Sequence, residues 1–298
     1  MICLQSTKRP QRVAWRRFEA YPRIPQGMRD LSIALIACCI LFVAHTGCKQ
    51  DDQNPDHDDQ IPEINYIPVR SFPHDTLSFT EGLLLFNDSL FESTGSPVLM
   101  PGTRSVFGPV DLATGHISVR VELDKEIYFG EGIAYLDGKF YQLTYKNRIG
   151  FVYDAATYET IDQFSFLSDE GWGLTTDGES LIMSDGSDKL TYFDPQTFLV
   201  TKILYVTANE SPKSLLNELE FIRGFIYANI WQSNHIVRID PSNGKVSGWI
   251  DLAEYAIEAK EMNTGSMEMN GIAFDPVSGS IFITGKCWPK IYEIVLEE

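Results

Sequence analysis

The chain has 298 residues, of which 44% are hydrophobic and 12% aromatic, and its formal net charge is −17. This composition can fill a packed core and excludes a chain that is disordered over its whole length. Because so acidic a surface repels phosphate backbones, we expect no nucleic-acid partner.

The first predicted element is a leader, residues 1–47, that is removed from the mature protein. An apolar run from Leu31 to Val43 is too short for a membrane span but is typical of a signal-peptide core. Small residues precede Cys48, which resembles a bacterial lipoprotein cleavage site and predicts a lipid on Cys48. Ordinary secretion with cleavage nearby is the alternative. Met28 is the more natural start of such a leader.

Residues 48–62 form the second predicted element, a disordered acidic tether. The segment is polar and contains no aromatic residue, so it cannot bury enough apolar surface to offset its ordering entropy. We therefore expect an exported lipoprotein, periplasmic or at the cell surface, anchored in a bacterial membrane through Cys48. Cys287 is then the one other cysteine of the mature chain, so we expect no disulfide framework and a Cys287 that packs as a small hydrophobe.

Residues 63–298 contain a hairpin that recurs five times. The first residues of the copies are 50, 41, 45 and 53 positions apart, and a turn follows each start after five to nine residues. A third and a fourth strand pattern follow in the same unit. Four antiparallel strands repeated every 40 to 50 residues are typical of propeller blades. The sequence therefore predicts an all-β fold, a five-bladed propeller.

The two ends of this domain fit together in one blade. The last copy ends with its third strand, and an additional strand pattern, Ile64 to Phe72, precedes the first copy. Pairing these segments closes the ring and removes two exposed sheet edges. A β-sandwich of the same strands is the alternative, but it does not explain why one strand is extra and another is missing.

Equivalent positions on the innermost strands should converge at the propeller axis. The residues that begin the five copies are Glu81, Glu131, Trp172, Asn217 and Asn270. The corresponding positions on the second strands are Gly95, Tyr145, Gly186, Trp231 and Lys286. Carboxylates, amides, a lysine and large aromatic residues would therefore meet at one mouth, where a structural repeat would place small or apolar residues. The alternative is that Glu81 and Glu131 cap turns and that the tryptophans fill the core.

Other patterns are less specific. The histidines show no ligand spacing, so we predict no zinc site. The stretch SDGSD, Ser184 to Asp188, has the oxygen-rich look of a calcium loop but lacks the full pattern and its last glutamate, which favours a hairpin turn. No nucleophile elbow and no phosphate-binding glycine loop is present.

The domain resembles the plant and bacterial glutamine cyclotransferases of the papaya-latex type, which are five-bladed propellers. The similar stretches are FTEG (Phe79–Gly82), ESTG (Glu92–Gly95), FGEG (Phe129–Gly132), EGWGLT (Glu170–Thr175), SDGSD (Ser184–Asp188), NELE (Asn217–Glu220), ANIW (Ala228–Trp231), NGIA (Asn270–Ala273) and TGKCWP (Thr284–Pro289). The resemblance implies a glutaminyl-peptide cyclotransferase that converts an N-terminal glutamine to pyroglutamate with loss of ammonia, without metal or cofactor. Its partners would be peptides or proteins with an N-terminal glutamine.

The resemblance also implies roles for individual residues. Glu131 would be the acid/base, with Lys286 and Asn217 as the other catalytic residues. The remaining residues would bind substrate: Phe79, Glu81, Phe129, Tyr145, Trp172 and Trp231. The family usually has glutamine where this chain has Glu81, and tryptophan at Tyr145. Because like charges disfavour ionisation, Glu81 is expected to raise the pKa of Glu131.

Two further functions compete with this one. A propeller that keeps the pocket without turnover would be a binding module for peptides or small amines. A lactonase-like hydrolase would need acidic and amide ligands around a calcium ion, and the cation of Lys286 argues against that site. We expect the protein to act as a monomer.

Overall fold

Each of the five repeats forms one antiparallel sheet of four strands. The structure is a computed structural model, and it describes residues 61–297. The strands are β1 (Tyr66–Pro73), β2 (Phe79–Phe86), β3 (Ser89–Gly95), β4 (Val106–Pro109), β5 (Val121–Glu122), β6 (Gly130–Leu136), β7 (Lys139–Thr144), β8 (Ile149–Asp154), β9 (Thr160–Ser165), β10 (Leu174–Thr176), β11 (Leu181–Ser184), β12 (Lys189–Phe193), β13 (Val200–Tyr205), β14 (Thr207–Ala208), β15 (Ser211–Pro212), β16 (Leu216–Ile222), β17 (Phe225–Ile230), β18 (His235–Ile239), β19 (Val246–Asp251), β20 (Met269–Phe274), β21 (Ile281–Gly285) and β22 (Lys290–Leu296).

The blades follow one another around a closed ring. From the inside outwards they are β2-β3-β4-β5, β6-β7-β8-β9, β10-β11-β12-β13, β16-β17-β18-β19 and β20-β21-β22-β1. The innermost strand of each blade contacts the innermost strands of both neighbours, including β2 with β20. A five-bladed propeller is the architecture that these contacts describe, and the prediction is confirmed.

The N-terminal strand closes the ring, as predicted. Strand β1 pairs antiparallel with β22, with Tyr66 opposite Leu296 and Pro73 opposite Lys290. The chain that leads into β1 also contacts the fourth blade, since the carbonyl of Pro62 accepts the N–H of Trp249. This contact lies just before residue 63, the predicted start of the domain. The leader and Cys48 lie outside the described residues.

The turns between the first two strands of each blade follow from local sequence. Asn87-Asp88 has φ angles of 49° and 58°, and Asp137-Gly138 has 50° and 77°. Two successive positive φ angles define the type I′ turn, which matches the right-handed twist of a hairpin and favours Asn, Asp and Gly. The hairpin turns that the sequence predicts are therefore confirmed at these positions.

The hydrophobic core lies between adjacent blades. Leu83 and Leu90 of the first blade pack in one cluster with Phe282 and Ile291 of the fifth. Burial of such a side chain stabilises the fold by about 1.5–3 kcal/mol. Because each blade covers an apolar face of the next, the five sheets stabilise one another and leave the axis free for polar residues.

The one α-helix of residues 61–297 was not predicted. Helix α1, Ala253–Met262, connects β19 to β20, and its buried residues are Tyr255 and Ala259. Two buried positions give too weak a 3.6-residue periodicity for recognition from sequence. Tyr255 packs against Tyr292 with ring centroids 4.2 Å apart. Among the residues that the structure describes, no helix is long and apolar enough to cross a membrane.

The innermost strands carry pairing irregularities at the residues that the repeat placed on the axis. The register of β2 with β3 shifts between Thr80 and Gly82, around Glu81. The register of β6 with β7 shifts between Gly130 and Ile133, around Glu131. Strands β16 and β20 shift in the same way after their first residue. Because a bulge redirects a side chain out of the strand alternation, these irregularities turn the axial residues towards the mouth.

Candidate active site

The axial residues line one cavity of about 300 Å³. All nine predicted site residues face it, and the full lining is Phe79, Glu81, Pro97, Phe129, Glu131, Tyr145, Trp172, Asn217, Trp231, Met267, Glu268 and Lys286. The volume is at the lower end of the range for small-ligand pockets. The repeat of the sequence therefore predicted seven of the nine residues that share this space, and Phe79 and Phe129 were expected from the resemblance.

Three axial positions of the repeat do not line the cavity and support it instead. Asn270 donates to Oε2 of Glu81 at 3.0 Å. Gly95 and Gly186 make room for rings: a Cβ at Gly95 would lie 2.1 Å from Cε1 of Phe129, and one at Gly186 would lie 2.7 Å from Cη2 of Trp172. These glycines allow the aromatic walls to pack against the end of β3 and against the turn that follows β11.

We expect Gly95→Ala to lower kcat/KM by about 10- to 100-fold, because the added methyl displaces Phe129 and a shift of about 1 Å at a site has effects of that size. Overpacking should also lower the free energy of unfolding by about 1–3 kcal/mol. Steady-state kinetics and thermal unfolding measure both. Gly102→Ala is the matched control, since the nearest atom to its Cβ would lie 3.5 Å away. Unchanged kinetics in Gly95→Ala would contradict the role of this glycine.

The backbone of Glu131 is held from both neighbouring blades. Its carbonyl accepts the hydroxyl of Ser93 at 2.6 Å, and the N–H of Gly132 donates to the carbonyl of Trp172 at 2.8 Å. A Cβ at Gly132 would lie 2.4 Å from the backbone nitrogen of Leu174. The glycine after the glutamate is therefore required by the close approach of the next blade, as the sequence suggested.

The carboxyl group of Glu131 is buried without a partner. Glu131 is 4% exposed, and no donor within residues 61–297 hydrogen-bonds to its carboxyl oxygens. Burial raises the pKa of Glu131 well above its usual range, the charge of Glu81 raises it further, and Lys286 opposes the shift. The direction of this effect is the one that the sequence predicted for Glu81.

Glu81 and Lys286 form a buried ion pair in the same cavity. The Nζ atom of Lys286 lies 2.9 Å from Oε1 of Glu81 and 4.6 Å from the ring centroid of Phe79. Burial raises the pKa of Glu81 to about 7 although Lys286 and Asn270 favour its ionised form. Burial opposes the charge of Lys286, but Glu81 and Glu131 outweigh it and raise the pKa of Lys286. The cavity therefore contains one stable cation among carboxyl groups.

Aromatic rings form the walls. Trp172 and Trp231 meet edge to face with centroids 5.6 Å apart, and Phe129 lies 6.0 Å from Phe79 and 5.7 Å from Tyr145. The side-chain amide of Asn217 faces the same space and has no hydrogen-bond partner among residues 61–297. The arrangement offers an unpartnered amide, a cation and a buried carboxyl group of raised pKa inside an apolar enclosure.

Sequence reasoning missed four residues around the mouth. Pro97, Met267 and Glu268 line the cavity, and Glu170 accepts the indole N–H of Trp172 at 3.0 Å. Glu170 and Glu268 carried a signal, because each stands two positions before an axial residue, as Phe79 and Phe129 do. Pro97 and Met267 lie in connections and carried none.

The structure also tests the less specific patterns. The stretch SDGSD forms the turn between β11 and β12, with Gly186 at φ 77°, so the hairpin interpretation is confirmed. Cys287 is buried and free, as expected for a small hydrophobe. Within residues 61–297, no group of three or more His, Cys, Asp or Glu side chains is placed to hold a metal ion.

Comparison with known proteins gives consistent matches. A family model described as glutamine cyclotransferase matches residues 37–296. A glutaminyl-peptide cyclotransferase of Arabidopsis thaliana is 42% identical over 238 residues, which are 79% of this chain and 72% of the relative. The crystal structure of Myxococcus xanthus glutaminyl cyclase superimposes with a TM-score of 0.72 at 32% identity, covering 80% of this chain and 99% of the other.

Proposed function

The chain belongs to the glutamine cyclotransferase family, and on this premise we propose that it is a glutaminyl-peptide cyclotransferase with Glu131 as its acid/base. The substrate would be a peptide or protein with an N-terminal glutamine. The observation that carries the assignment to Glu131 is its buried carboxyl group, which faces the cavity without a partner.

The cavity suits an intramolecular ring closure. The substrate's α-amine attacks the carbonyl carbon of its own side-chain amide, a C–N bond forms, and the bond to the amide nitrogen breaks to release ammonia. The side chain must be held in a folded near-attack conformation, and the walls of Trp172, Trp231 and Phe129 restrict it and exclude water. Such positioning converts a flexible glutamine into one reactive conformer.

A proton must move from the amine to the departing nitrogen. Glu131 takes the amine proton as a base and delivers it to the leaving amide nitrogen as an acid. Burial and the charge of Glu81 raise the pKa of Glu131 from its usual range towards the pH at which an acid/base works most efficiently.

The carbonyl oxygen gains negative charge as the tetrahedral intermediate forms. The ammonium of Lys286 and the amide of Asn217 both line the cavity, and each can donate a hydrogen bond to this oxygen. Donors that are already oriented stabilise such charge without reorganisation. The remaining wall residues, Phe79 and Tyr145, complete the enclosure.

The experiment measures ammonia release from a Gln-initiated dipeptide by protein that lacks residues 1–47. We expect release that persists in the presence of a chelator, and none from the N-acetylated dipeptide, whose nitrogen cannot attack. Binding of the dipeptide without release would instead indicate a binding module. Loss of release with chelator would indicate a metal-dependent reaction.

Glu81→Gln is expected to move the acid limb of the kcat/KM profile to lower pH by about one unit, the shift that about 1.4 kcal/mol of lost repulsion produces. Replacing Glu81 removes a like charge near Glu131 and leaves Lys286 without its counterion, and both changes lower the pKa of Glu131. The basic form then persists at lower pH.

A pH–rate profile from pH 4 to 9 measures this shift. Tyr145→Trp is the control, since it changes another cavity residue without changing its charge near neutral pH. A limb that stays in place in Glu81→Gln would show that Glu81 does not influence the acid/base.

We also propose that the protein is exported and anchored in a bacterial membrane by a lipid on Cys48, either in the periplasm or at the cell surface. The apolar run and the small residues before Cys48 support this proposal. Metabolic labelling with a radioactive fatty acid tests it. Cys48→Ser should lose the label and move from the membrane fraction to the soluble fraction.

We propose that the enzyme acts as a monomer, because the single chain closes its own ring of five blades, with β1 paired to β22. Light scattering on the protein without residues 1–47 tests this, and the expected mass is that of a single chain.

A further inference from the structure

The mouth of the cavity carries an exposed apolar turn. Pro97, in the connection between β3 and β4, lines the cavity. The next two residues, Val98 and Leu99, are 95% and 94% exposed. Exposed apolar side chains that form a contiguous patch mark interaction sites, whereas singly scattered ones are ordinary. This turn, Pro97 to Met100, is called the apolar turn below.

The apolar turn has a defined conformation. The N–H of Met100 donates to the carbonyl of Pro97 at 2.8 Å, and the hydroxyl of Thr103 donates to the carbonyl of Met100 at 2.7 Å. The hydroxyl of Ser96 donates to the carbonyl of Thr103 at 2.9 Å. These bonds fix the base of the connection, so that Val98 and Leu99 are presented to solvent by a structured turn.

A second apolar residue stands at the same mouth. Met267 also lines the cavity and is 43% exposed. Methionine is flexible and polarizable, and it adapts to varied apolar partners. The rim of the cavity mouth therefore presents apolar residues in two places, at the apolar turn of the first blade and at Met267, which precedes the first strand of the fifth blade. Acid/base chemistry is confined to the interior of the cavity.

The position of the apolar turn at the mouth of the cavity indicates which ligand would contact it. If the N-terminal glutamine fills the cavity, the rest of the polypeptide must leave through the mouth. Each extended residue advances about 3.3–3.6 Å, so the two or three residues after glutamine pass the rim. These residues are covalently continuous with the glutamine in the cavity. They are therefore a better candidate to contact the apolar turn than an unrelated partner.

We propose that the apolar turn is a binding subsite for the residues that follow the N-terminal glutamine, and that it selects substrates with large apolar residues there. The inference rests on the proposed function and deepens it by naming a substrate class. Tyr, Leu or Phe after glutamine would bury apolar surface against Val98 and Leu99, whereas glycine would not.

The test compares two tripeptide amides, Gln-Leu-Phe and Gln-Gly-Gly, in the variant Val98→Ser/Leu99→Ser. In the unmodified protein we expect kcat/KM for the apolar tripeptide to exceed that for the glycine tripeptide by about tenfold, the effect of burying roughly two methylene groups. In the variant the ratio should fall to about one. Val277→Ser is the matched control, because Val277 is 89% exposed in the turn between β20 and β21, at the strand ends remote from the axial residues.

The outcomes separate this inference from the proposed function. Turnover of both tripeptides at equal rates by the unmodified protein would overturn the subsite while leaving the cyclotransferase intact. An unchanged ratio in the double variant would also overturn it. If instead the double variant keeps the ratio but loses sedimentation with phosphatidylglycerol vesicles, the turn contacts membrane and the inference is wrong. Absence of all ammonia release would refute the function itself.

Discussion

Glu131→Gln is expected to lower kcat for Gln-initiated peptides by about 10²–10⁴-fold, the usual contribution of a positioned acid/base. Glutamine keeps the size of the side chain but can neither accept the amine proton nor return it to the leaving nitrogen. Because Glu131 is buried without a partner, the neutral substitute should not reduce the free energy of unfolding. Ammonia release and thermal unfolding measure the two effects.

Glu220→Gln provides the matched control for this variant. The pKa of Glu220 is also raised, to about 8 and mainly by burial, but its carboxyl accepts the N–H of Phe274 and does not line the cavity. The amide oxygen of glutamine can still accept that bond, so activity should persist. A fully active Glu131→Gln would show that the proton is transferred elsewhere, and the proposed mechanism would be wrong.

Lys286→Met is expected to lower kcat by about 10²–10³-fold, the range measured when one donor to a developing oxyanion is removed. The loss has two possible sources, because the substitution also leaves Glu81 buried without its counterion. An orphaned buried charge is itself destabilising by about 3–5 kcal/mol. Kinetics and unfolding of Lys286→Met alone do not separate the loss of the donor from the loss of the counterion of Glu81. A second variant is therefore needed.

The double variant Glu81→Gln/Lys286→Met resolves these sources. It removes the orphaned carboxylate, so we expect the free energy of unfolding to recover towards that of the unmodified protein while kcat stays low. Recovery of kcat in the double variant would mean that Lys286 serves only to neutralise Glu81. The role of Lys286 as a donor to the carbonyl oxygen would then be abandoned.

Much of the fold could be predicted because it is repetitive. The hairpin copies and their turns, type I′ in the first two blades, are local features, and the spacing of the copies determines the number of blades. Ring closure followed from a surplus strand before the first copy and a last copy with only three strands. The surplus strand, β1, pairs with the last strand, β22. Helix α1 was missed because it buries only Tyr255 and Ala259, and its place is set by contact with the fifth blade.

The location of the candidate site could be predicted in part from the same repeat. Glu131 and Trp172 occupy one position of the repeat, and Trp231 and Lys286 occupy another. Because both positions converge on the axis, the repeat alone predicted that these side chains lie close together. Symmetry did not indicate Pro97 or Met267, because connections vary in length and conformation. It also did not show the bulges that turn Glu81 and Glu131 towards the mouth.

The sequence by itself determined the blade count, the closure of the ring and the set of axial residues, because each depends on local strand and turn patterns repeated along the chain. Only the tertiary structure decided the electrostatic surroundings of the site. Burial, the 2.9 Å approach of Lys286 to Glu81 and the lack of a partner for Glu131 within residues 61–297 arise from packing between blades. A pKa depends on what surrounds a group in space, and neighbours in sequence do not specify that.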